Sequence, residues 1–342
     1  GSITAELARV LGADIDRLFG MGFCYEALEP GYIMATAMKY RMKNTRIFSH
    51  DLSGNWHDNL LRENSVHGYP HELGSASSHT PFYAHCAQQD IGVLYSGFGG
   101  DEAVTNPGGV PVRLELWDQR HLAGLWQILP GAMPMKLARL AKTVKTSWNM
   151  PKNHAGFMAA WKQRWPYQFL NARMLEQYGL ENRYFASATY DERFRRINDA
   201  AIYLLSRPYA PIRLQNCTLM AASYGIDYVW PLWDSRLVQQ WLSTPSIWKV
   251  GDNGMGRYLH RRAVSGTAAD AVAWKQSKDM GCGALQKNAE PTASRELLER
   301  LRNLLAAVPV DLQDVVDSAK ALTMLENRSE ERRVGKECRS RW

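Results

Sequence analysis

Ile91-Gly92-Val93-Leu94-Tyr95-Ser96-Gly97-Phe98-Gly99-Gly100-Asp101-Glu102 is the stretch on which the fold turns. A short apolar run, Ile91 to Tyr95, passes directly into a serine, three glycines and two acids. Such a run, bounded by turn residues, reads as a buried strand of a parallel sheet. Glycines at its end let backbone N–H groups approach an anion, and an Asp beside such a loop can hold a Mg²⁺ that bridges phosphates. Taken alone, the segment fits a plain tight turn equally well.

Toward the amino end the same grammar repeats. Ser2 to Leu11 has a helical period with Ile3, Leu7, Val10 and Leu11 on one face, and Arg17 to Cys24 is a second apolar run containing glycines, read as a strand. A helix is expected from about Gly31 to Arg41 and a strand over Thr45–Ser49, while polar, glycine-containing sequence fills most of Asp51–Ser78. Thr80-Pro81 predicts a helix start, with Thr80 as N-cap and Pro81 at the first helical position, where its missing N–H costs nothing. This alternation predicts an α/β chain with an open parallel sheet whose ligands sit beyond the carboxyl ends of the strands. Beyond residue 112 helical periods dominate, over 136–148, 155–165, 191–205, 213–223, 235–242, 257–265 and 296–306. The expected division is an α/β part over 1–111 and a helical subdomain over 112–327.

The chain has 342 residues, 45% hydrophobic and 22% charged, which suits a folded protein with a sizeable core. It has no run of about eighteen apolar residues and no basic-then-apolar leader, so no membrane partner is expected and the expected address is the cytoplasm. The last fifteen residues, Arg328 to Trp342, resemble the translation of a short-read sequencing adapter and are set apart from the fold reading. The first residue is not Met and the chain opens inside a helical pattern, so it reads as an amino-terminally truncated fragment. Setting the tail aside removes six basic and three acidic residues and lowers the formal charge from +7 to +4, too mild to argue nucleic-acid binding. Cys24, Cys86, Cys217 and Cys282 then remain, widely spaced and read as reduced, mostly buried thiols.

Two further segments carry possible chemistry. In Gly225-Ile226-Asp227-Tyr228-Val229-Trp230-Pro231-Leu232-Trp233-Asp234, Asp234 caps a new helix and Asp227 lies in apolar company, where an acid needs a partner. Asp227 can equally brace a loop through hydrogen bonds. Gly256-Arg257-Tyr258-Leu259-His260-Arg261-Arg262-Ala263 begins a basic helix, followed by Trp274-Lys275-Gln276-Ser277-Lys278-Asp279; in isolation this reads as a solvated charged face. His67 and His71 have metal-pair spacing, but Gly68 and Pro70 break any helix between them. Lys136, Arg139, Lys142 and Lys145 form the basic face of an amphipathic helix, opposite Leu137, Leu140 and Val144.

Together these segments resemble the asparagine synthetase family. Ser96 to Glu102 is similar to its S-G-x-G-[GSA]-D-E motif, Asp227 to Val238 to its E-x-R-x-P-F-L-D segment, and Gly256 to Lys278 to its G-K-Y-x-L-R-x-A stretch and the lysine loop that follows. The resemblance covers roughly residues 2 to 283. It implies a PP-loop ATP-pyrophosphatase (adenine nucleotide α-hydrolase-like) fold that uses ATP and Mg²⁺ to adenylate a carboxylate, aspartate or a peptide side chain, and passes it to an amine donor. An upstream glutaminase domain would supply ammonia in such enzymes.

By motif position the resemblance implies Asp101 as Mg²⁺ ligand, Lys278 as the phosphate-stabilising cation with Lys275 as its substitute, and Asp227 in the catalytic segment. Ser96, Gly97, Gly99 and Gly100 would approach the nucleotide, and Met21 with Gly22 would border the adenine. Phe98 and Ser77 stand where relatives carry an ionisable residue near the reacting amine and an aspartate-binding Arg, and Val229 replaces the Arg of the second motif. The resemblance leaves asparagine synthesis, a lasso-peptide-cyclase type of ligation, and a catalytically inactive nucleotide-binding scaffold as open readings.

Overall fold

The computed structural model describes all residues except 25–28, 50–55, 70–74, 163–168, 188–193, 207–208, 276–290 and 325–342. Side chains at 23–29, 49–60, 70–78, 150–168, 184–193, 207–209, 276–298, 311 and 325–342 are outside the description. The chain forms two compact units, Gly1–Met150 with Thr189–Asn288, and Pro151–Ala188 with Ala289–Trp342.

In the first unit α1 (Ser2–Leu11) leads through a 3₁₀ turn to β1 (Gly20–Cys24), α2 (Glu29–Tyr40) and β2 (Thr45–Ser49). Helices α3 (Trp56–His67) and α4 (Ser75–Gln88) precede β3 (Val93–Tyr95). Then come α5 (Gly109–Asp118), α6 (Leu122–Ile128) and α7 (Met133–Lys162), whose residues beyond Met150 belong to the second unit together with α8 (Ala172–Gln177) and α9 (Leu180–Ser187). The first unit resumes with α10 (Ile197–Ser206), α11 (Tyr209–Ala222), β4 (Asp227–Val229), α12 (Ser235–Ser243), α13 (Ser246–Lys249), α14 (Tyr258–Val264) and α15 (Asp270–Ala273). In the second unit, Leu170 and Val316 form an antiparallel bridge.

The parallel α/β pattern is present, but among the described residues it takes the form of two strand pairs rather than one open sheet. β1 pairs with β2 from Gly20 opposite Thr45 to Cys24 opposite Ser49, and β3 pairs with β4 from Val93 opposite Asp227 to Tyr95 opposite Val229, both parallel. Strand β4 lies where only helices were expected; three residues beginning with Asp are too short to display a period. The β3–β4 pair is also half-buried. Leu94 and Tyr228 point into a core with Tyr83, Cys86, Cys217 and Met220 of α4 and α11, while Val93, Tyr95, Asp227 and Val229 are exposed. Asp227, expected in apolar surroundings, therefore faces outward.

Local expectations are corrected elsewhere too. Helix α4 begins at Ser75, so Thr80 is not its cap and Pro81 lies inside it. Packing of α4 between α3 and α11 outweighs the one backbone bond the proline forfeits. Polar sequence expected to be irregular forms α3, which fully buries Glu63. In α1 the buried residues are Ala5 and Ala8, whereas Val10 is 70% exposed. Ala5 joins Val264, Ala268 and Ala273 in a small core, so α1 packs on the third motif. The period at 136–148 runs on into the next as the single helix α7, which ends at Lys162, with 163–165 outside the described residues. Two cations of its basic stripe are engaged: Lys136 donates to the Trp126 carbonyl at 3.1 Å, and Arg139 donates to that of Pro130, holding carbonyls at the end of α6. Cys86 and Cys217 are buried, as expected.

The largest core gathers Ala103, Val104, Val112, Leu116, Leu125, Ile128, Leu129, Ile197, Leu232, Trp241 and Val250. Beside it Lys249, 1% exposed, donates to Asn198 Oδ1 at 2.6 Å and lies 3.9 Å from the Trp241 ring centroid. Burial pulls its pKa down to about 8, against the opposing pull of Glu115. An unfolded lysine titrates near ~10.4, so between these values the unfolded chain holds a proton that the folded one has released, and stability rises with pH. Urea denaturation from pH 7.5 to 10.5 should show the parent protein gaining on Lys249→Met by up to about 3 kcal/mol across that window. A flat difference would mean that Lys249 titrates normally.

Candidate active site

Beyond β3 the chain turns on Ser96. Its N–H donates to the Val229 carbonyl at 3.0 Å, carrying the pairing with β4 one residue further. The Ser96 hydroxyl accepts the Phe98 N–H at 3.1 Å and hydrogen-bonds Tyr228. The glycines that follow are not equivalent. At Gly97, which is exposed, a Cβ would meet nothing within 4 Å. Gly99 has φ +89°, and a Cβ there would fall 1.2 Å from Trp233 Nε1. A Cβ on Gly100 would meet Thr105 Oγ1 at 2.6 Å and Leu232 Cδ1 at 2.7 Å. The first motif thus lies against Leu232 and Trp233 of the second, and both are joined by the strand pair.

The third motif arrives through Arg257. Its Nη2 donates to Asp101 Oδ1 at 2.9 Å, and its Nε to the Thr105 carbonyl at 2.8 Å. Thr105 Oγ1 donates to the same Asp101 oxygen at 3.2 Å. The Asp101 side chain is 44% exposed and that of Arg257 21%. Asp234, as expected, caps α12 by accepting the Arg236 N–H at 2.9 Å, and the Arg236 side chain holds its carboxyl down to about 2.

Aromatic side chains back the turn. Tyr228 and Trp230 stack with centroids 4.1 Å apart, and Phe98 meets Trp230 edge-on at 5.9 Å. The Arg213 guanidinium, from α11, lies 4.0 Å from the Phe98 ring centroid. One face of the Phe98 ring therefore carries a cation. Burial raises the Tyr228 phenol above its ordinary pKa, with the Ser96 hydrogen bond and Arg213 opposing.

The remaining expected residues fall as follows. Met21 packs against the core that holds Tyr228 and Trp230, and Gly22 is backed by Ile33 of α2. Lys275 Nζ lies 4.4 Å from the Tyr32 ring centroid, on α2. Ser77 lies in the first turn of α4 with its side chain outside the described set, and Lys278 and His71 lie outside the described residues, as does Arg328–Trp342. Arg213 and Arg257 are the additions that sequence reading passed over.

Among the described residues no three His, Cys, Asp or Glu side chains gather to hold a metal. A Mg²⁺ at Asp101 would take most of its ligands from phosphates and water, which is how Mg²⁺ commonly binds beside a nucleotide. The open space at Gly97 and the half-exposed carboxylate fit such a group. No helix among the described residues is long and apolar enough to cross a membrane.

The asparagine synthase family profile matches residues 69–342, well over half of the chain. No curated protein and no solved structure gives a match. The chain belongs to the asparagine synthase family, and with it to the ATP-dependent amidotransferase-type ligases.

The unequal glycines can be tested by stability alone. Gly99→Ala must accommodate both an overlap with the Trp233 ring and a left-handed backbone, and should cost on the order of 2–4 kcal/mol. Gly97→Ala should stay within about 0.5 kcal/mol of the parent in urea denaturation. Equal costs would show that the packing of Gly99 on Trp233 is not what holds the turn.

Proposed function

We propose that this member of the asparagine synthase family adenylates a carboxylate with MgATP and transfers the acyl group to an amine, with a larger or more apolar substrate than free aspartate. The observation that carries this reading is the convergence of the three motifs, the Asp101–Arg257 ion pair joining the first to the third and Leu232-Trp233 of the second seated on the glycines. ATP supplies the activated phosphorus and Mg²⁺ the charge compensation. The chain's own residues bind and orient: Gly97 leaves room for a phosphate to approach the backbone, Asp101 offers a carboxylate for the cation, and Ser96 holds the turn.

The substrate reading rests on Phe98 and Ser77. A phenyl ring can neither accept a proton from an incoming amine nor fix it by charge, and a serine cannot offer the bidentate contact that an arginine makes to a carboxylate. Arg213 adds a cation on the Phe98 ring, suited to an anionic group on whatever molecule docks there. Lys278, with Lys275 as alternative, is retained as the proposed phosphate-stabilising cation, Asp227 as part of the catalytic segment, and Met21 with Gly22 as the adenine border. Ligation of a peptide carboxylate to an amine, as in lasso-peptide cyclisation, is the second ligase reading, favoured by the same Phe98 and Ser77.

Two measurements test this. Gly97→Ala should weaken MgATP binding at least tenfold in titration calorimetry while leaving the thermal midpoint in place; unchanged affinity would remove the turn from the nucleotide site. Pyrophosphate release with aspartate and ammonia should be slow for the parent and faster for Phe98→Glu, whose carboxylate would be held beside Arg213. Efficient asparagine formation by the parent would return the function to ordinary asparagine synthesis.

A further inference from the structure

Arg257 is held more firmly than a surface cation needs to be. Gly256 before it comes so close to the chain after the first motif that a Cβ would meet the Pro107 carbonyl oxygen at 2.8 Å and Pro107 Cα at 3.1 Å. Arg257 itself adopts a left-handed backbone, φ 59° and ψ 25°, immediately before α14. A non-glycine residue is strained there, and such strain persists only where the surroundings over-determine it. The side chain is then fixed twice, by Nε on the Thr105 carbonyl and Nη2 on Asp101 Oδ1. Thr105 is in turn tied to the glycine turn, its N–H donating to the Gly100 carbonyl at 2.7 Å.

Two donors therefore converge on one oxygen of Asp101, the Thr105 hydroxyl at 3.2 Å and the Arg257 guanidinium at 2.9 Å. A carboxylate bound this way cannot rotate freely about its Cβ–Cγ bond. The geometry points to Arg257 as a positioning residue for the divalent cation: it fixes the orientation of the Asp101 carboxylate, the group that would hold the metal. This rests on the reading of Asp101 as the cation's ligand. Because its Nε is tied to the Thr105 carbonyl and Gly256 before it lies against Pro107, Arg257 is held in place rather than left to swing away. An oriented ligand would favour the metal and the guanidinium charge would oppose it, and the phosphates of a bound nucleotide would offset that repulsion. A lysine here, as in the family's G-K-Y stretch, would lack the fork that engages both Thr105 and Asp101.

The probe is Mn²⁺ with ATP, followed by electron paramagnetic resonance of free and bound metal, with thermal midpoints recorded in parallel. Arg257→Gly removes the guanidinium while relieving the left-handed backbone, so the fold is retained; Mn²⁺ affinity should fall at least tenfold. Arg257→Lys should return it to within about threefold of the parent, and Asp101→Asn should lose it. Unchanged affinity in Arg257→Gly alongside loss in Asp101→Asn would make Arg257 purely structural and overturn the proposal. Tighter binding in Arg257→Gly would overturn it in the opposite sense, showing that the guanidinium competes with the metal. Parent-like affinity in Asp101→Asn would instead strike at the underlying assignment of Asp101. If Arg257→Gly melts early, Arg257→Asn, which tolerates the left-handed backbone but is too short to hold Asp101, takes its place, and parent-like Mn²⁺ affinity in it at equal stability would overturn the proposal.

Discussion

The contact between the Gly99–Gly100 backbone and the side chains of Leu232, Trp233 and Thr105 is the constraint on which the first unit depends. It can form only if two segments more than a hundred residues apart lie flush, and only if no Cβ stands between them. Strand pairing of β3 with β4 brings them to the same edge, and the 3₁₀ turn Pro231–Trp233 then folds back onto the glycines. Downstream, Ala103, Val104 and Leu232 enter the same large core, so the packing that shapes the turn also seats the helical part of the unit. Stability and site geometry are thus carried by the same few atoms.

Legibility in the sequence followed the range of the interactions. Strands β1, β2 and β3 and most helices announced themselves because their signal is local, an apolar run or a 3.6-residue period. The Asp234 cap was readable for the same reason. What failed was decided by distant partners. Thr80-Pro81 has the grammar of a helix start, but α4 is extended backward by its packing, and Asp227 looked buried because its sequence neighbours are apolar while the pleat of β4 turns it outward.

Within the site, the glycine turn and Asp101 could be read, because glycine and acid chemistry is explicit in the residue types. The separate duties of the glycines could not, since only the approach of Trp233 distinguishes Gly99 from Gly97. Arg257 read as part of a solvated basic helix start, and Arg213 merely opened a helical period. Each is defined by a partner over a hundred residues away, Asp101 in one case and Phe98 in the other. Family resemblance supplied the motifs but not these contacts.

The two thiols beneath the β3–β4 pair have a practical corollary. Cys86 on α4 and Cys217 on α11 are fully buried, and burial pushes the Cys86 thiol up to about 11. At neutral pH only roughly one Cys86 in ten thousand would be ionised, and the thiolate is the reactive form. Alkylating reagents and peroxide should therefore reach this sulfur only when α4 and α11 part, so its labelling rate would be a clock for opening of the layer that supports Tyr228 and the turn. Exposure of the chain to mild oxidants would then leave this layer untouched as long as it stays closed, and damage at Cys86 would record how often it opens.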